Sequence, residues 1–493
     1  MLKLLKKDKK VMPDFSTVHK QQYLLLITGF LVALSTGALA YFFNNYAMSL
    51  APAIVLLAAV LCIAIFKEPF FGLISTLVYT FIMGVFSREV APDFPVGLGI
   101  EILLILTLIS VWYHSKKYNL ALLKSDLFFI STLWLLISVL QLVNPAGASP
   151  SGWLQEIRSA ALIPFMVTIL GLLLIYSSKT LNYFLKAVIV LSFITSVYGI
   201  KQFFIGPSAG EQRFLDGGGG EFHIINGVLR VFSFLSDASQ FGALQAFSVV
   251  IGTILFFATK SPVKKTLLVV FSGLSFYGLL ISGTRGGFFI LIAGFFLALL
   301  LSKNKKALFL GGIAVVMMLG VLKFTYIGNT NYSIYRLRTA VNPQQDASFT
   351  LRLQNQATLR NYLATKPFGG GLGSIGTWGR KYNADKYLST IAPDSYWVKV
   401  WAMYGITGLV VFFCSWMYLI GNCCGMIWRV KDKYLKARLI ALMAGVTGVF
   451  AGSYGNEFMN LMPLLLIVNL SLAAVYGLCR RSIEKETAEP TEL

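Results

Sequence analysis

Apolar runs of about twenty residues recur along nearly the whole chain, separated by short polar stretches rich in lysine and arginine. They fall near residues 23–43, 46–66, 70–86, 97–113, 126–143, 159–176, 181–205, 238–259, 266–282, 286–301, 307–323, 397–427, 437–452 and 460–479. An α-helix needs roughly 20 apolar residues to cross a bilayer, so each run predicts a membrane-spanning helix. A membrane β-barrel would instead show alternating segments of about 10 residues, and the chain has none. Only a short polar turn splits 266–282 from 286–301. The pattern therefore predicts an all-α polytopic membrane protein with about 12–14 transmembrane helices, and no repeat of solenoid length.

The loops sort by charge. One alternate set holds the basic N-terminus, Lys67, Lys116-Lys117, Lys179, Lys260 through Lys265, Lys303 through Lys306, Arg429 through Arg438 and Arg480-Arg481. Basic loops stay on the cytoplasmic side, so both termini are expected in the cytoplasm and the number of spans is expected to be even. The other set, 87–96, 144–158, 206–237, 282–285, the long stretch 324–396 and 453–459, is expected outside. The expected organisation is a basic N-terminus over 1–22, helical membrane regions over 23–323 and 397–479, a large outer loop over 324–396, and a cytoplasmic tail over 480–493. Ala38-Leu39-Ala40 resembles a signal-peptidase site, but the long polar lead and the spanning length of the run favour an uncleaved first helix.

The outer loop is the polar exception in an apolar chain. Long loops on membrane scaffolds tend to carry function. Between 324 and 399 nine basic side chains face three acids, and the first four are all arginine: Arg336, Arg338, Arg352 and Arg360. Arginine binds phosphate oxygens bidentately and keeps its proton. On an outward surface this excess is not a topological signal. It calls for an anionic partner, either a ligand phosphate or acidic lipid headgroups. Thr350 to Ala364 can form an amphipathic helix with Leu351, Leu359, Tyr362 and Leu363 on a face against the membrane domain and with Arg352 and Arg360 near that face.

Composition adds limits. The chain has 493 residues, 56% hydrophobic and 13% charged, with a formal net charge of +21. Soluble domains carry roughly 25% charged residues. The positive charge lies in loops between spans, which argues against nucleic acid as a partner. The five cysteines all lie in apolar runs or at their ends, with no disulfide framework and no metal-binding spacing. There is no outward paired carboxylate, Walker loop, zinc motif or nucleophile elbow, so neither a metal nor another cofactor is expected. Gly371-Leu372-Gly373-Ser374-Ile375-Gly376 matches a dinucleotide fingerprint only formally. No βαβ unit surrounds it, and a tight turn after Lys366-Pro367 is the better reading.

Three further places hold candidate chemistry. In Ser282-Gly283-Thr284-Arg285-Gly286-Gly287, an arginine bracketed by glycines sits where two apolar helices meet. The glycine spacing fits helix packing, but the guanidinium requires an ion pair or an anion. Arg230 precedes Phe232-Ser233-Phe234, and Ser236 or Asp237 can cap the following helix, whose first amides offer an anion site. Interfacial snorkelling is the plainer role of Arg230. Asp394, after Pro393 and ahead of an apolar run, is either a helix cap or a carboxylate that takes a proton from an attacking hydroxyl. Glu101 and Glu457 are candidate partners for these arginines. On the residues alone, this loop and Arg230 and Arg285 are read as holding an anionic partner.

These blocks, in this order, resemble the O-antigen ligase and polymerase superfamily of bacterial membrane glycosyltransferases. The resemblance rests on Arg230 with Phe232-Ser233-Phe234, on Ser282 through Gly287, and on Arg352, Lys366-Pro367-Phe368-Gly369 through Gly373, Asp394-Ser395-Tyr396 and Tyr404-Gly405-Ile406-Thr407-Gly408. It covers roughly residues 225–410. It implies a GT-C-like, metal-independent, inverting glycosyltransferase of the bacterial inner membrane, with a periplasmic active site and no cofactor. The implied donor is a glycan on undecaprenyl diphosphate, clamped by Arg230, Arg285 and Arg352, with Arg360 nearby. The implied acceptor is a saccharide for a polymerase, lipid A-core for a ligase, or a serine or threonine for a protein O-oligosaccharyltransferase. Ligases carry a histidine where this chain has Asp394, which favours a polymerase. A rival of another class is a lipid-linked-sugar flippase, which would place its arginines at mid-membrane depth.

Overall fold

The computed structural model describes residues 51–90, 95–225, 227–303, 347–393 and 395–488, with a few isolated positions between them. It divides at Glu68. Before that point lies α1 (Ala51–Lys67), an apolar helix described by itself. After it come α2 (Pro69–Val85), α3 (Leu98–Tyr113), α4 (Asp126–Leu140), α5 (Pro150–Leu174), α6 (Ser178–Phe204), α7 (Ala238–Ala258), α8 (Pro262–Ile281) and α9 (Gly286–Ser302). They are followed by α10 (Ala347–Leu363), α11 (Gly376–Tyr382), α12 (Tyr396–Arg429), α13 (Lys433–Gly452) and α14 (Leu464–Ala488). Among the described residues nine helices are long and apolar enough to cross a membrane, and three apolar helices are shorter. The chain is an all-α, multi-pass membrane protein, as the pattern predicts. The expected runs at 23–43 and 307–323 lie almost wholly outside the described residues.

The most enclosed helix is α14, with 83% of its apolar window buried against 17% for α4. Small residues bring α7, α9 and α13 together. Gly448 lies against the Ile290 carbonyl, Gly294 against the Ala444 carbonyl, and Gly445 against the Phe247 ring. Close approach at small residues is how membrane helices gain packing energy where lipid removes the hydrophobic drive. Several buried hydroxyls inside the helices bond back one turn, as Thr76 does to the Gly72 carbonyl and Thr107 to Leu103, which satisfies them without water.

Two spans differ from the pattern. Helix α5 starts at Pro150, capped by Ser149, so residues 150–158, expected in a loop, are helical. A π-turn at Arg158–Leu162 interrupts it, and the indole N–H of Trp134 donates to the Ala160 carbonyl at 3.0 Å. Glu101 pairs with Arg158 at 2.6 Å, and Arg158 also bonds Gln155. That partner, expected in the outer loop 144–158, lies outside the candidate set.

The second departure is in α12. At Gly405 the backbone turns to φ +71°, ψ −172°, and the helix breaks. The glycine run of the long loop fills the break. Gly370 and Gly371 donate to the carbonyls of Ala402 and Met403 at 2.8 and 3.0 Å, and Thr407 returns both its amide and its hydroxyl to the Pro367 carbonyl. Gln141 and Asn144 at the end of α4 hold the Phe368 carbonyl. The Tyr404 hydroxyl lies 2.7 Å from the Ser138 hydroxyl. The turn expected after Lys366-Pro367 is present, closed by the Gly369 amide on the Lys366 carbonyl at 2.9 Å, and its backbone plugs the break. Gly369, Gly371, Gly373 and Gly376 all have positive φ, which glycine alone adopts without strain.

An alanine at Gly405 must hold a positive φ and meets the Pro367 carbonyl oxygen. We expect Gly405→Ala to destabilise the protein by about 1–3 kcal/mol and to expose residues 366–376 to protease. Thermal melting in detergent and limited proteolysis check both outcomes.

Candidate functional site

The segments that carry the candidate residues meet at one end of the bundle. Arg230 leaves a two-stranded turn, Ile224–Ile225 with Val228–Leu229. Its guanidinium donates to the Ser282 and Phe222 carbonyls and to the Ser239 hydroxyl, each at 3.3 Å. The next amide, Val231, bonds the Ile281 carbonyl. The Arg230 segment is therefore tied directly to the turn that bears Arg285.

That turn is built by its small residues. Gly283 adopts φ +59°. The Ser282 hydroxyl accepts from the Thr284 amide, and the Thr284 hydroxyl donates to the Ala238 carbonyl at 3.0 Å. Gly287 lies against the Gly242 carbonyl and the Leu279 side chain. Helix packing accounts for Gly287 and chain reversal for Gly283. Arg285, half-buried, stands at the start of α9.

Residues 453–460 bridge this turn to the head of α12. Gly286 packs against the Phe458 ring and close to the Gly452 carbonyl. The Ser453 carbonyl accepts from the Tyr396 amide at 3.0 Å and from the Ser395 hydroxyl at 3.2 Å. Ser395 caps α12 through the Val398 amide. Arg352, half-buried on α10, borders a small cavity of about 10 Å³ with Pro393, Ser395 and Val398. Helix α10 docks through Leu359, Leu363 and Tyr362, whose ring meets Tyr387 at 4.8 Å. Leu351, expected on that face, is exposed, because it lies eight positions from Leu359, about 80° around the helix. Arg360 is exposed on α10. Asp394 and Arg336 lie outside the described residues.

The amides expected to bind an anion at the start of α7 are already occupied. Asp237 caps the helix by accepting from Ser239 and Gln240 at 2.6 and 3.3 Å. Its neighbourhood holds two residues that sequence reasoning passed over. Arg88 lies over the Phe214 and Phe232 rings, 5.5 and 4.9 Å from their centroids, and donates to the Leu235 carbonyl at 2.7 Å. Gln202 accepts from the amides of Phe232 and Ser233. Both sit in or beside apolar runs, where a single polar residue carries no periodic signal.

A buried ion cluster was also unforeseen. The Lys399 ammonium lies 3.0 Å from Glu156 Oε1 and 3.0 Å from Glu457 Oε2. The Lys399 and Glu156 side chains are 7% and 1% exposed, that of Glu457 21%. Asn460 donates to Glu156 Oε1 at 3.4 Å. Glu457 thus pairs a lysine rather than a candidate arginine. Among the described residues no three His, Cys, Asp or Glu side chains are grouped to hold a metal ion.

The fold and site define a multi-pass helical membrane protein in which the Arg230 segment is bonded to the turn bearing Arg285 and Arg352 stands beside the head of α12. Comparison with known proteins narrows it. Residues 268–413 match the family described as O-antigen ligase. The chain is also 28% identical over 198 residues to a protein named O-antigen polymerase from Salmonella muenchen, covering 39% of this chain and 48% of that protein. It therefore spans about half the length of that curated relative. Through these matches the chain is similar to the O-antigen ligase and polymerase superfamily.

Two outcomes follow from the geometry. Lys399→Met leaves two carboxylates without their shared cation, and breaking such a buried pair costs about 3–5 kcal/mol. The melting temperature in detergent should fall accordingly and partly recover in Lys399→Met/Glu156→Leu. The second concerns His223. It is buried between Phe214 and Phe232, with Nδ1–H donating to the Gly219 carbonyl at 2.8 Å. Burial pushes its pKa below the ordinary value of 6.5, against the opposing pull of the Gly219 bond and Asp237, and with Arg230 and Arg88 adding to the decrease. A depressed value means that the neutral ring is favoured in the fold. Its contribution is present above pH 6.5 and is lost as pH falls through the lowered pKa. Protease resistance of residues 205–237 should drop on acidification, and His223→Asn should flatten that dependence.

Proposed function

We propose that the protein is a glycosyltransferase that moves a glycan from undecaprenyl diphosphate to a saccharide acceptor on the periplasmic face of a bacterial inner membrane. The preferred activity is polymerisation of a surface polysaccharide such as O-antigen. The supporting observation is the direct bonding of the Arg230 segment to the turn that presents Arg285. Two guanidinium-bearing segments are thereby held together at the end of apolar spans, with α10 bringing Arg352 beside the head of α12. The name of the Salmonella relative supports polymerisation. So does Asp394, standing where ligases are expected to carry histidine. The description of the matching family favours a second reading, ligation of finished polymer to lipid A-core.

In this mechanism the donor diphosphate meets Arg230, Arg285 and Arg352, with Arg360 at the exposed edge. The acceptor oxygen attacks the anomeric carbon from the face opposite the diphosphate. The new C–O bond forms as the anomeric C–O bond to phosphate breaks, and the lipid diphosphate leaves with the bonding pair. Fixed guanidinium groups in a water-poor site stabilise the negative charge that builds on it. The proton of the acceptor hydroxyl passes to a carboxylate, for which the sequence offers Asp394. The energy of the diphosphate linkage drives transfer, so the scheme uses no cofactor and no metal.

Purified protein given lipid-diphosphate glycan should release free lipid diphosphate and extend the glycan. Arg285→Ala should lower this rate on the order of 10²–10³-fold, the usual loss of one such charge donor, with Arg230→Ala and Arg352→Ala similar and Arg360→Ala milder. Transport in vesicles without transfer would instead identify a flippase. In cells lacking the gene, single repeats capped on lipid indicate a polymerase, and polymer accumulating on the carrier indicates a ligase.

A further inference from the structure

The Lys399 cluster is unusual for what surrounds it. Three elements contribute one charged side chain each: Glu156 from α5, Lys399 from α12 and Glu457 from the turn that follows α13. Two carboxylates share one ammonium, so the cluster holds an acid in excess of its cation. Glu156 is the deeply buried member. Its Oε1 is engaged by Lys399 and Asn460, and its Oε2 has no hydrogen-bond partner among the described residues. Glu457 differs. It meets Lys399 through Oε2 alone, and its side chain is 21% exposed. The charged or titratable groups that face it are Lys399 and Tyr396 on α12, and Glu156 of α5 across the shared ammonium.

Its position ties Glu457 to both halves of the candidate site. The residue after it, Phe458, packs against Gly286, next to Arg285. The carbonyl of the residue before it, Asn456, accepts from the Tyr396 amide at 3.4 Å, beside the Ser395 that borders the cavity of Arg352. A carboxylate thus stands in the turn that joins the two arginine-bearing segments, one oxygen fixed by a buried cation and the side chain 21% exposed. A proton acceptor has to be held in place and reachable, and Glu457 is both.

Resting on the transferase reading above, we propose that Glu457, in place of Asp394, is the catalytic base that takes the proton of the acceptor hydroxyl, with Lys399 and Glu156 as positioning residues behind it. As the acceptor oxygen bonds the anomeric carbon, its O–H pair stays on oxygen and the proton moves to the Glu457 carboxylate. The lipid diphosphate departs with the electrons of the broken C–O bond. Lys399 fixes the direction of the Glu457 carboxylate through Oε2. Glu156, anchored by Asn460, holds the ammonium from behind.

The test uses full-length protein in detergent with a lipid-diphosphate-linked glycan as donor and acceptor. Transfer and donor consumption are followed from pH 4 to 9 for wild type and for Glu457→Gln, Glu457→Asp, Glu457→Ala and Asp394→Asn. We expect Glu457→Gln to lower kcat about 10²–10⁴-fold, the range for loss of a general base, with KM little changed and the acidic limb of the pH profile removed. Glu457→Asp should keep that limb at reduced kcat. Added formate should restore part of the activity of Glu457→Ala, an effect that a purely structural role would not produce. Full activity of Glu457→Gln, or an acidic limb lost in Asp394→Asn and kept in Glu457→Gln, overturns the proposal. Absence of formate rescue in a Glu457→Ala protein with wild-type melting also overturns it. No transfer by wild type refutes the transferase reading itself, so the two failures are told apart.

Discussion

Hydrocarbon offers a peptide group no hydrogen-bond partner, and that constraint shapes the site end of this protein. Helix α12 is long enough to cross a bilayer, yet it breaks at Gly405. An open break at membrane depth would leave amides and carbonyls unpaired at a cost of several kcal/mol each. The loop's own backbone closes it, through Gly370, Gly371 and the Pro367 carbonyl. Because the plug is backbone on backbone, side chains are excluded from it, and a run of glycines is what fits. The same closure anchors the polar loop at a defined height on the bundle and leaves α10 and α11 to fold against it.

Arg352 and Glu156 are tied to that anchoring. Arg352 reaches the head of α12 only because α10 is docked through Leu359 and Leu363 beside the plug. Asn383, just after α11, donates to the Gly373 carbonyl and accepts from the Ser149 amide, which ties the loop to the start of α5. That start places Glu156 within reach of Lys399. The cluster then joins α5, α12 and the turn after α13 by charge, at positions where apolar contact alone would not fix their rotation. A buried cation flanked by two carboxylates is costly to assemble and more costly to break. It specifies one arrangement of three elements around the arginines.

The aromatic and polar groups beneath Arg230 do comparable work. Gln202 grips the amides of Phe232 and Ser233, and Ser233 takes a positive φ of 56°. Arg88 rests on two phenylalanine rings and holds the Leu235 carbonyl. The chain between the two-stranded turn and α7 is thereby held rigid. Rigid support is what a site needs if its charges are to be in place before the reaction begins.

Hydrophobic periodicity by itself determined that the protein is a bundle of membrane-spanning helices. It located most spans to within a few residues, because exclusion of polar groups from hydrocarbon writes itself into every run of twenty positions. The arginines in glycine-rich or polar settings, Arg230, Arg285 and Arg352, stood out as candidates because charge next to apolar spans is costly and rarely idle. The pairing of charges did not stand out. Glu101 with Arg158, and Lys399 with Glu156 and Glu457, join residues 57 to 243 positions apart. No local pattern encodes such distances. The break at Gly405 and the glycine plug that fills it were equally hidden, since each half reads alone as an ordinary helix or turn. Only the tertiary structure decided those features, because they exist where separate segments complete one another's hydrogen bonds and charges.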